Sequence, residues 1–119
     1  MKKVLIYFTT VALFAVAGAI LLLKSFTISN PEPEDCKEVT VKITDILEGS
    51  SHDIVFKDND FSSFYINRGL ERGLNLDSLK TKVLNKTVTL HLAKVMGGRL
   101  TSDHICQLKV NGDTLFTEF

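Results

Sequence analysis

The chain has 119 residues, and its 14 basic side chains equal its 14 acidic ones. No basic excess marks a phosphate-binding surface, which argues against nucleic acid as a partner. No catalytic or cofactor motif stands out, so composition selects no enzyme class and predicts no cofactor and no bound metal.

Residues 4–23 read VLIYFTTVALFAVAGAILLL, twenty positions without a charge. At about 1.5 Å of rise per residue such a helix covers roughly 30 Å, the hydrocarbon thickness of a bilayer. Two readings share the basic start Met1-Lys2-Lys3: a retained signal-anchor, over 1–24, and a cleaved secretory signal. Length favours the anchor, because a cleavable signal has an apolar core of about 7 to 15 residues and a small-x-small site after it. Here Ala15, Ala17 and Ala19 lie inside the run, and cutting there would leave Ile20 to Leu23 exposed. Ala15 and Ala19 also have the small-xxx-small spacing of helix pairs, a spacing common by chance. With Lys2 and Lys3 before the helix and Lys24 alone close behind it, the start should stay in the cytoplasm. Residues 25–119 then face outward from a cell (inner) membrane crossed once, which in a bacterial cell means the periplasm.

Residues 25–35 form an acidic linker, where Pro31, Glu32, Pro33, Glu34 and Asp35 leave little to bury and predict a short extended spacer. Residues 36–119 form the only domain. Removing Lys2, Lys3 and Lys24 from the bases, and Glu32, Glu34 and Asp35 from the acids, leaves 11 of each there. Val39, Val41 and Ile43 alternate with polar residues at the period of a half-buried strand over 37–48, until Ile46 and Leu47 fall out of phase and predict a bulge. Turn residues at 48–51 and 58–60 bound a second strand over 52–57 and introduce a third over 61–67, carrying Phe64 and Ile66. Leu76, Leu79 and Val83 then recur at helical spacing behind a capping Asn75, which predicts a helix over 76–84. Alternation returns over 86–94. Asn111-Gly112 is the pair preferred by a two-residue hairpin turn, and it separates strands over 105–110 and 113–119.

Strands, a helix, then strands (β-β-β-α-β-β) is the order of an oligonucleotide/oligosaccharide-binding (OB) barrel, whose helix between the third and fourth strands plugs one end. The alternative is another small α+β fold, because the closing hairpin brings the count to six strands rather than five. The stretches Phe64-Tyr65-Ile66-Asn67-Arg68-Gly69-Leu70-Glu71 and Gln107-Leu108-Lys109-Val110-Asn111-Gly112 resemble those of small uncharacterised domains in bacterial membrane-anchored proteins with an OB-like fold. That resemblance implies an address and a fold, and no activity.

Tyr65, Asn67 and Arg68 form the favoured recognition surface, since Tyr65 and Asn67 alternate with the core candidates and an aromatic, an amide and a guanidinium together suit a sugar, a peptide or a partner loop. The same residues also serve to brace a barrel rim. Gly97, Gly98 and Arg99 make a candidate anion loop, although a glycine pair before a base is common in loops. Cys36 and Cys106 would face an oxidising compartment, which allows a disulfide; with Cys106 in phase with Leu108 and Val110 on the inward face, two separate thiols are the preferred reading. His104 with Cys106 lacks a third metal ligand nearby in sequence. Ser50, Ser51, His52 and Asp53 hold hydrolase residue types but read as a solvated turn, and Asn85-Lys86-Thr87 matches a glycosylation acceptor of eukaryotic secretory proteins. The leading expectation is a membrane-tethered, non-enzymatic module that binds an envelope protein or small ligand. Its rival is a small extracytoplasmic enzyme or metal-binding protein using His52, His91 or His104.

Overall fold

A computed structural model describes residues 2–25, 28 and 31–119, and the expectations that rest on Met1, 26–27 and Ser29-Asn30 lie outside them. Helix α1 (Lys2–Ser25) is one unbroken rod, and its Lys2–Leu23 stretch is long and apolar enough to cross a membrane, with none of it buried against the protein. Its two internal threonines are no obstacle. The Thr9 and Thr10 hydroxyls donate to the Leu5 and Ile6 carbonyls at 2.9 Å, so neither would enter hydrocarbon unsatisfied.

The domain is a six-stranded sheet in the order β3-β2-β1-β4-β5-β6. Strand β1 (Cys36–Glu48) is long and bent: its first half pairs with β4 (Thr87–Val95) and its second half with β2 (Ile54–Asp58). The change of partner coincides with a register shift between Ile43 and Asp45, the bulge that the broken alternation predicts. Strand β3 (Ser63–Ile66) follows β2, β5 (Leu100–Val110) follows β4, and β6 (Asp113–Thr117) closes the hairpin through Asn111 and Gly112, both at positive φ. All these neighbours run antiparallel, and a parallel pair, Tyr65 with His104, joins β3 to β5. Helix α2 (Leu76–Val83) begins where Asn75 accepts the Ser78 N–H at 3.0 Å, and it buries Leu79 and Val83 in the core. That core is made of Ile43, Ile46, Phe56, Phe64, Leu90 and Leu108 with their neighbours.

Four expectations change. Phe61 belongs to no strand: the Asp58 carboxylate accepts the Asp60 and Ser62 N–H groups at 3.0 and 2.8 Å, and this turn sets Phe61 at φ 64° with its ring fully in water. Strand β5 begins at Leu100, five residues before its apolar alternation, because Lys94 and Val95 pair with Thr101 and Leu100. The linker is no free spacer. Pro33–Asp35 form a 3₁₀ turn, Pro31 is buried, and Ile28 packs against the domain. Finally, Cys106 does not face the core with Leu108 and Val110. Cys106 and Gln107 both stand opposite His91, and this bulge puts Ile105 into the core in place of Cys106.

Candidate functional site

The seam between β3 and β5 gathers several half-buried or buried polar side chains: Tyr65, Ser102, His104 and Glu118. Tyr65 stands edge-on to His104, ring centroids 5.6 Å apart and planes at 86°. His104 Nε2 lies 2.8 Å from Glu118 Oε1, and both side chains are largely buried. Two further bonds hold this arrangement in place: the Glu118 N–H donates to the Cys106 carbonyl at 2.8 Å, and the His104 N–H donates to Ser102 Oγ at 3.3 Å. Ser102 in turn donates to the Ala93 carbonyl at 2.7 Å.

On its other side Tyr65 lines an open groove of about 210 Å³, together with Ser50, Asp53, Val55, Ser63 and Asp103. Among the described residues no lysine, arginine or histidine lines it, and Asp53 and Asp103 are its charged groups. Burial pushes the Tyr65 hydroxyl above its ordinary range, with Asp53, Asp103 and Glu118 adding to the shift; the phenol is held neutral, as a donor. Asp53 is itself fixed, accepting the Arg68 N–H at 2.8 Å. The groove therefore has a firm back wall and an exposed mouth.

Of the three residues expected to act together, Tyr65 alone lines this groove. Asn67 is exposed beyond the end of β3, and Arg68, at φ 52°, turns its Nε toward Glu71 at 3.8 Å. Around Gly97, Gly98 and Arg99, the Gly98 and Arg99 N–H groups donate to the Val95 and Met96 carbonyls, so the loop closes on itself instead of aiming them at an anion. The three histidines have separate settings. His52 is on an exposed turn near Glu48 and Glu71; His91 is near Glu38 and edge-on to Phe119; His104 belongs to the seam. Among the described residues no three His, Cys, Asp or Glu side chains are grouped to hold a metal ion.

Cys36 and Cys106 are both buried free thiols. With Ala93 between them they form a small second cluster away from the main core, and Ile28 of the linker packs on it. Burial raises both thiols above their ordinary range. The His104–Glu118 pair escaped sequence reasoning because its members lie in segments of no apolar alternation. Extending regular pairing outward from the Asn111-Gly112 turn sets Ile105, not Cys106, level with Glu118; the register shift between Leu108 and Lys109 is what brings Glu118 to Cys106.

No family model matches this chain, and no curated protein or solved structure is similar to it.

Proposed function

We propose that this chain is a single-pass membrane protein whose domain, over 36–119, is an OB-like barrel displayed outside the cytoplasm to bind an envelope protein or small ligand without chemistry. The apolar helix behind Lys2 and Lys3 supports the address. The circuit of pairings β1–β2–β3–β5–β4 and back to β1, with α2 between β3 and β4, supports the barrel. In a bacterial cell the domain would then occupy the periplasm, tethered to the inner membrane.

The observation that carries the binding role is the Tyr65 groove. It is concave and open, its tyrosine is backed by the buried, hydrogen-bonded His104 and Glu118, and its two carboxylates favour a partner that presents an amine or guanidinium. The test places a photo-crosslinking side chain at Ser63, in the groove, or at Thr114, exposed on β6, in the full chain in native membranes. A discrete adduct from Ser63, absent from Thr114 and diminished by Asp103→Asn, is the expected result. Equal yields from the two positions would remove the groove from consideration. Salt-sensitive binding of single-stranded DNA would instead overturn the expectation of no nucleic acid.

A further inference from the structure

We propose that the tip of the β4–β5 hairpin, over 95–100, is a lipid contact: it lies on the phospholipid surface that holds α1, with Met96 and Leu100 against the border of the acyl region and Arg99 on a lipid phosphate. The proposal rests on the reading of α1 as a retained membrane span, and it holds on either side of that membrane.

Chain length sets how close the domain must stay to the bilayer. Helix α1 ends at Ser25, and Ile28 packs on the cluster of Cys36, Ala93 and Cys106. Three residues span at most about 11 Å, so Ile28 and the cluster it touches stay close to the end of the helix. The headgroup layer beyond the hydrocarbon is itself roughly 5 to 8 Å deep. Ala93 pairs with Cys36, the first residue of β1, and β4 runs on past that start through Lys94 and Val95 into the tip. The hairpin therefore projects from the end of the sheet at which the tether arrives.

The side chains of the tip suit that depth. Leu100 is 52% exposed, and among the described residues of the domain only Phe61 and Phe119 are other large apolar side chains left so open to water. Arg99 is exposed and makes no ion pair among the described residues. An arginine lays its apolar stem along such a surface while its planar head binds phosphate oxygens. Met96, Gly97 and Gly98 hold positive φ values of 56°, 64° and 87°, a tight turn in which the Gly98 and Arg99 N–H groups donate to the Val95 and Met96 carbonyls. Those donors are thus already satisfied where water is scarce. Exposed Glu32, Glu34 and Asp35 stand in the tether itself, so net charge does not draw the domain down. The tether does, by holding the tip at a high effective concentration over the lipid, where a contact of a few side chains is enough.

The chain has no tryptophan, so Leu100→Trp places a single reporter at the tip and Phe61→Trp places one on the β2–β3 turn. Asp58, which opens that turn, stands opposite Ile43, roughly 23 Å along β1 from Cys36 at about 3.3 Å per residue. The full chain is reconstituted in phosphatidylcholine nanodiscs whose lipids carry bromine close to the ester groups, and its tryptophan emission is compared with that in unbrominated discs. The Leu100→Trp chain should lose most of its emission to bromine and the Phe61→Trp chain almost none. Adding Arg99→Glu to Leu100→Trp should restore most of the loss. A Leu100→Trp chain that travels with the discs unquenched would overturn the contact and leave α1 as a span; equal quenching of both reporters, or quenching indifferent to Arg99→Glu, would also overturn the contact. A chain that separates from the discs would overturn the reading of α1, and the contact with it.

Discussion

Phe64 and Tyr65 are neighbours with opposite duties, and the difference is measurable. Phe64 pairs with Phe56 and is buried in the core, so Phe64→Ala should cost about 3 to 5 kcal/mol, a large part of the roughly 5 to 15 kcal/mol that holds a small domain together. Tyr65→Ala gives up a half-buried ring and its edge contact with His104, the latter worth about 0.5 to 1.5 kcal/mol beyond the area lost, and should cost distinctly less. Urea unfolding of the two variants decides this; equal losses would make Tyr65 a structural rim residue. The thiols set a pH dependence of definite sign. Below about pH 8.5 they are protonated in folded and unfolded chains alike and contribute no slope. Above it the unfolded chain releases these protons while the folded one, whose Cys36 and Cys106 are raised by burial, keeps them. Under reducing conditions stability should therefore fall with rising pH, by up to about 1.4 kcal/mol per unit per thiol. The Cys36→Ser, Cys106→Ser double variant should show a shallower fall between pH 8.5 and 10.

At the scale of elements, the turn from β3 into α2 depends on one close approach. Gly69 is buried, and a Cβ there would meet Ile54 Cδ1 at 2.6 Å and Ile54 Cγ1 at 2.8 Å. Ile54 is wholly buried. Gly69→Ala should thus destabilise by about 1 to 3 kcal/mol, the usual cost of overpacking, although alanine is the smallest side chain available. Thermal unfolding checks it, and an unchanged midpoint would show that the Arg68–Arg72 turn is free to shift away from β2. The Asn111-Gly112 turn is the opposite case: its positive φ values are met by residues that tolerate them, and local chemistry alone sets the hairpin.

For the whole molecule the decisive relation is between helix and domain. Ile28 packs on the small cysteine cluster and Pro31 is buried, so the described part of the linker touches the domain. The proposed orientation predicts that protease added to intact spheroplasts digests residues 36–119 and that the same protease added to inside-out vesicles does not. The reverse pattern would invert the topology, and a soluble mature product would mean that the first segment is a cleaved signal.

An uninterrupted apolar run, period-two alternation in β1 and β4, an Asn cap and an Asn-Gly turn are local signals, each legible because the responsible residues are consecutive or one turn apart. They were enough to determine α1, the element order, α2 and the closing hairpin. What only the tertiary structure decided is every relation that depends on a partner strand. Thr101–His104 are polar and carry no alternation, and this stretch becomes strand through pairing of Leu100 and Thr101 with β4 and of His104 with β3. The side on which Cys106 lies was set by the bulge opposite His91, one added residue that reverses the side-chain parity of everything before it. Tyr65 met His104 only because β3 and β5 pair in parallel across 38 intervening residues. Local periodicity records which positions alternate, but the face each one takes is chosen by the non-local ladder it joins.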